Sequence, residues 1–209
     1  MTKLLLVRHG ESEYNSAQRF AGHIDIGLTE KGRRQAEKLR YRLAGEKIDA
    51  VYCSDLKRAR MTAEAAIQGR HLVITTCPEL REINYGEVDG LPFAEIQRLH
   101  PELAKKIRDS DLGMAFPGGE SFLEFVDRVD SFTQRLSKHS PSETVLVVAH
   151  GGPLRTLLCS LLALGQTCWW QFRIDNASLT IVDTYEKRAI LSQLNETSYL
   201  KDIGTATGD

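Results

Sequence analysis

Short apolar runs alternate with helix-patterned stretches along this chain, and that alternation restricts its fold more than any other feature. Lys3 to Val7 forms a buried-strand pattern. Thr29 caps a helix opening Glu-Lys-Gly, with Ala36, Leu39 and Leu43 at helical spacing. Ile48 to Cys53 is the next strand, Asp55 starts a helix through Ala66, and Leu72 to Thr75 is a further short strand. Pro117 to Ser121 is a loop before a helix from Phe122 to Leu136. Thr144 to Ala149 is the strongest strand pattern, followed by a helix from Gly152 to Leu164. Leu179 to Thr184 and Ala189 to Leu194 suit a closing hairpin. The pattern predicts an α/β fold, a three-layer α/β/α sandwich around a mostly parallel sheet. A single domain spans 1–209, with a polar, partly helical insertion at about 86–121. Gly204 to Asp209 is expected to fray.

The bulk chemistry excludes several classes of function. The 27 basic and 28 acidic residues are mixed along the chain, for a net charge of -1, so no basic stripe marks a nucleic-acid binder. The longest apolar stretch, Leu157 to Leu164, is far short of the roughly 20 residues a membrane span needs. No secretory signal is evident at the N-terminus, so the expected localisation is cytoplasmic. Cys53, Cys77, Cys159 and Cys168 lack CxxC spacing, which favours free thiols over a zinc site.

In open α/β sheets, ligands bind beyond the carboxyl ends of the strands, where the strand order reverses. Arg8 and His9 follow the first apolar run, and His150 and Gly151 follow another in VLVVAHGG. Two strands thus each bring a histidine, then a glycine, to the same sheet edge. Taken singly, a histidine at a strand end is more often structural than catalytic. The pair beside Arg8 changes the balance, because a buried guanidinium among imidazoles is costly unless an anion lies between them. Arg58 follows a third strand end, in the first turns of the next helix. Alone, Lys57, Arg58 and Arg60 describe a solvated helix face. Beside Arg8 and two histidines, the planar fork of Arg58 suits an anion, and helix N-termini add N–H donors. Phosphate is the natural anion. Glu79, Glu82, Glu87 and Asp89 offer carboxylates, and spacing does not choose among them.

The segments LLLVRHGESEYN, SDLKRARMTAE, LREINYGEVDG, PGGES and VLVVAHGGPLR, in this order, resemble the histidine phosphatase superfamily and its phosphoglycerate-mutase-like fold. The likeness runs from Lys3 to about Leu194. It implies that His9 attacks phosphorus and becomes a phosphohistidine. It also implies that Arg8, Arg58 and His150 hold the phosphoryl oxygens, helped by Asn15 and the Gly151 backbone, with Gly22 approaching the leaving group. Glu82 falls on the proton-donor position. Covalent catalysis by a neutral imidazole, with cations stabilising the transition state, suits this set and requires no metal or other cofactor. REINYGEVDGLPFAEI has no lysine or arginine from Ile83 until Arg98, unlike the mutases, so the chain resembles the phosphatase branch. PGGES and the C-terminal DNASLTIVDTYEKRAILSQLN are similar to α-ribazole and phosphoserine phosphatases, which implies a small phosphorylated metabolite as substrate. Ala21 stands where many relatives have Gln, and His23-Ile24-Asp25-Ile26 replaces a Pro-containing turn.

Three rival functions are distinguishable. A phosphoglycerate mutase would require a bisphosphate cofactor. A non-catalytic phospho-ligand-binding module would lack the nucleophile or the acid. A metallohydrolase would use His9, Glu11 and His150. Trp169, Trp170 and Phe172 suit a core cluster, with a homodimer surface as the alternative.

Overall fold

The computed structural model describes residues 1–203; the tail expected to fray, Gly204 to Asp209, lies outside the described residues. Six strands form one sheet: β1 (Thr2–Arg8), β2 (Ala50–Cys53), β3 (Ile74–Thr76), β4 (Thr144–Ala149), β5 (Leu179–Thr184) and β6 (Ala189–Glu196). Their spatial order is β3-β2-β4-β1-β5-β6. β1 to β4 run parallel, and β5 and β6 close one edge antiparallel. The chain leaves β1, builds β2 and β3, then inserts β4 between β1 and β2. The carboxyl ends of β1 and β4 therefore lie side by side.

Both faces of this sheet are covered, which is why its central strands are apolar without alternation. Leu4, Leu6, Val145 and Val147 face one core, built with α6 (Phe122–Leu136) and α7 (Gly151–Leu161). Leu5, Val7, Leu146 and Val148 face the other, with Leu39 of α2 (Glu30–Arg42), Leu43 just past its end, and Ala59, Ala63 and Ala66 of α3 (Lys57–Ala66). Each such fully buried Leu or Val contributes roughly 1.5–3 kcal/mol. This is the expected three-layer arrangement, with four parallel strands and two antiparallel ones.

The expected helix ends need two corrections. α3 begins at Lys57, not Asp55. Asp55 instead forms a two-pronged ion pair with Arg81 (2.8 and 2.5 Å), and Asp25 takes the Lys57 N–H at 2.6 Å. The helix is thus capped by a carboxylate from a distant turn. α7 ends at Leu161, and Ala163 then adopts a left-handed backbone (φ 54°) that helical geometry excludes.

The polar stretch between β3 and β4 carries α4 (Phe93–Leu99) and α5 (Pro101–Arg108). Ile96, Leu103, Ala104, Met114 and Phe116 attach it to the α6/α7 core. Trp169 and Phe172 are buried in that core, and Trp170 is 37% exposed. The four cysteines are free. Burial raises the Cys53 thiol to about 12 and those of Cys77 and Cys159 to about 11, so these three are unreactive.

Candidate active site

Strand register delivers the two histidines together. Arg8 pairs with Ala149 at the last rung of β1 and β4, and His9 N–H donates to Ala149 O at 2.9 Å. The rings of His9 and His150 then meet edge-on, 4.9 Å between centroids. β2 ends beside them, because Ser54 N–H continues the ladder to Val148 O at 3.0 Å.

His9 is 2% exposed, and its Nδ1 lies 2.7 Å from the Gly10 carbonyl. A carbonyl only accepts, so Nδ1 carries the proton and Nε2 keeps a lone pair. Burial, then the charges of Arg58 and Arg8, hold the His9 imidazole well below its usual range. A neutral imidazole with a free Nε2 is a nucleophile. His150 has the same depressed range, from burial first and Arg58 second. Arg58 Nε donates to its Nδ1 at 3.1 Å, which forces the proton onto Nε2, 2.9 Å from Ser54 Oγ.

Two guanidiniums flank this pair. Arg8 Nη1 donates to Ile174 O at 2.6 Å, and its buried Nε has no partner among the described residues. Arg58 is fully buried, 0% exposed, and donates to His150 and to the carbonyls of Ala21, Gly22 and Ile24. Burial lowers both guanidinium pKa values, and Glu82 opposes the fall most. Gly151 opens α7 against Arg8: a Cβ there would stand 3.7 Å from Arg8 Nε. Asn15 lies in the short helix α1 (Glu13–Ser16), where its Oδ1 accepts from Ser12 N, Ser12 Oγ and Asn176 Nδ2. That set fixes the amide orientation and leaves its NH₂ as a donor.

Glu82 is 9% exposed, with Oε1 accepting from Ile83 N–H (3.0 Å) and Oε2 from Gly152 N–H (3.1 Å). Its loop is held from α6. Arg128 gathers the carbonyls of Glu79, Arg81 and Glu82 and donates to both oxygens of Glu120, whose Oε2 also accepts Asn84 N–H at 2.8 Å. The PGGES stretch therefore acts on the site through Glu120. Gly22 is placed differently from the other expected binding groups: its N–H goes to Asp89 Oδ1 at 2.8 Å and its carbonyl to Arg58.

Arg8, His9, Arg58, Glu82, His150 and Gly151 thus converge at one sheet edge, with Asn15 at its border. Glu11 does not join them: Lys31 and Thr29 take its carboxylate. Among the described residues no three His, Cys, Asp or Glu converge on a metal position. Reading the sequence missed Ser54, Thr62, Arg128, Arg155 and Asn176. Thr62 Oγ1 accepts Gly10 N–H and donates to Arg58 O. Arg155 lies against Trp169, 4.8 Å from the ring centroid, with Nε on Phe172 O. Ser54 at a strand end and Thr62 one turn beyond Arg58 on α3 had local signals that could have found them; Arg128, Arg155 and Asn176 act across the fold and carry none.

The family model described as histidine phosphatase superfamily (branch 1) matches residues 4–197. Phosphoserine phosphatase 1 of Hydrogenobacter thermophilus is 34% identical over 203 residues, covering 97% of this chain and 96% of that one. The adenosylcobalamin/alpha-ribazole phosphatase of Salmonella typhimurium is 36% identical over 200 residues, covering 92% and 96%. Among solved structures, the alpha-ribazole phosphatase of Shigella flexneri superposes with a TM-score of 0.86 at 32% identity, covering 93% of this chain and 96% of that one.

Proposed function

This chain belongs to branch 1 of the histidine phosphatase superfamily, and from that premise we propose that its reaction runs through a phosphohistidine at His9. The chain is a phosphoric monoester hydrolase acting on a small phosphorylated metabolite. In the first step His9 Nε2 bonds to phosphorus while the P–O bond to the leaving group breaks, and Glu82 gives that oxygen a proton. In the second, water attacks phosphorus, the P–N bond breaks, and Glu82 takes a proton from the water. Arg8, Arg58, the Asn15 amide and the Gly151 backbone hold the phosphoryl oxygens, with charge work a metal would otherwise supply, and His150 joins them when its Nε2–H leaves Ser54 Oγ. Gly22 contributes by shaping the turn around Arg58.

The observation that carries this reading is the tautomer of His9. Its proton sits on Nδ1 against Gly10 O, so Nε2 keeps its lone pair. The guanidinium of Arg8, close enough to lower the imidazole pKa, has a buried Nε with no partner among the described residues.

For the organic half of the substrate, relatives named phosphoserine phosphatase and alpha-ribazole phosphatase support those two phosphates. Phosphate release from α-ribazole phosphate, phosphoserine, 3-phosphoglycerate and p-nitrophenyl phosphate tests this. One of the first two should lead in kcat/KM, unaffected by EDTA; turnover only with 2,3-bisphosphoglycerate would make the chain a mutase. We read 1–209 as one domain, cytoplasmic, with 86–121 inserted over one sheet end. No described helix is long and apolar enough to cross a membrane. A homodimer would use the exposed Trp170, and sedimentation of Trp170→Ala against wild type tests it.

A further inference from the structure

The Ala21–Gly22 peptide stands between a carboxylate and a buried cation. Its N–H donates to Asp89 Oδ1 at 2.8 Å, and its carbonyl accepts from Arg58 Nη2 at 3.0 Å. A trans peptide points those two groups in opposite directions, so anchoring one end aims the other. The second Asp89 oxygen accepts Ile24 N–H at 3.0 Å. The carbonyls of Gly22 and Ile24 meet Arg58 at 2.7 and 3.0 Å. Gly22 permits this closeness: a Cβ there would lie 2.6 Å from Ile83 O and 3.0 Å from Asp89 Oδ2.

Arg58 is 0% exposed, yet among the described residues it makes no hydrogen bond to a carboxylate. Its charge is met by three carbonyls and one imidazole nitrogen. A buried cation in such a setting depends on dipoles that stay turned toward it. Asp89 supplies negative charge one peptide away, and turns the Ala21 carbonyl inward by holding the Gly22 N–H outward. By its second oxygen on Ile24 N–H it fixes the far end of the turn that carries the other two carbonyls. We propose that Asp89 is a positioning residue for phosphoryl transfer, which sets the Arg58 guanidinium beside His150 by clamping the 21–24 turn. The inference rests on the reading of Arg58 as a phosphoryl-binding group.

Asp89→Asn keeps the size but offers a single acceptor oxygen, with its NH₂ facing the second backbone N–H. Its kcat/KM on p-nitrophenyl phosphate should fall about 10–100-fold, the scale of a lost hydrogen bond to a charged group. The inhibition constant of inorganic phosphate should rise with it, because the damage falls on an anion-binding group. A double-mutant cycle with Arg58→Lys separates this from a general loss of structure. If Asp89 acts through Arg58, Asp89→Asn should cost less than about 3-fold more in the Arg58→Lys background. The full loss repeated in that background overturns the proposal, as does an Asp89→Asn enzyme with unchanged phosphate inhibition. If Asp89→Asn does not fold, Asp89→Glu replaces it: the charge stays, the oxygens move by one methylene, and the same loss and cycle are expected. A harmless Arg58→Lys would overturn the role given to Arg58 and this inference with it. A harmful Arg58→Lys with an additive cycle overturns only the inference.

Discussion

Gly152 donates its N–H to Glu82 Oε2 at 3.1 Å, and a Cβ placed on Gly152 would lie 2.1 Å from Glu82 Oε1. The second glycine of His-Gly-Gly is therefore a condition for the position of the carboxylate. Its backbone φ is not positive, so alanine fits the helix and the cost falls on Glu82. Gly152→Ala should lower kcat on an alkyl phosphate by roughly 10²-fold, the scale of a displacement near 1 Å at a catalytic group. Steady-state rates and a thermal melt check this: a large rate loss with a small change in melting temperature is expected.

The leaving group tests the role of Glu82 itself. An alkoxide needs a proton as the bond breaks, whereas nitrophenolate leaves without help. Glu82→Gln should slow an alkyl phosphate by roughly 10²–10⁴-fold. Burst rates from p-nitrophenyl phosphate should suffer far less. Equal losses for both substrates would remove Glu82 as the acid and turn attention to Glu79 or Glu87.

The histidines make stability depend on pH. Burial, then Arg58, holds His9 and His150 well below the usual imidazole range in the folded protein. The unfolded chain titrates near its ordinary value of about 6.5. Below that pH the unfolded state binds protons the folded state refuses, so stability is whole above about 6.5 and lost toward acid. The slope reaches about 1.4 kcal/mol per pH unit for each imidazole. Melting temperatures should fall between about pH 7 and pH 5, above the range where most carboxylates titrate. His150→Asn should make the fall shallower. A flat profile would mean the buried imidazoles accept protons in place.

Much of this was legible in the sequence where local pattern and fold agree. β4 and α6 begin and end where expected, because an unbroken apolar run and a Ser121 capping box each define one element without outside help. His9 and His150 were visible as polar residues ending such runs. Glu82 stood among Glu79, Glu87 and Asp89 with no spacing to separate them, and only resemblance chose it. The structure separates them physically: Arg135 takes Glu79, Asp89 takes two backbone amides, and Glu82 alone reaches the N-terminus of α7. The misplaced start of α3 has the same origin. Asp55 is a good cap by type, but Arg81 claims it and Asp25 replaces it across 32 positions. Contacts of that separation leave no periodic trace.

The phosphohistidine at His9 is the central claim, and trapping it tests the claim most directly. Enzyme mixed with ³²P-labelled substrate and quenched within one turnover should carry label that is stable in base and lost in acid. His9→Ala should fold, since among the described residues the ring makes its hydrogen bond only to its neighbour Gly10, and should carry no label and show no turnover. Label persisting in the His9→Ala protein would contradict the account and move the nucleophile to another residue, His150 first.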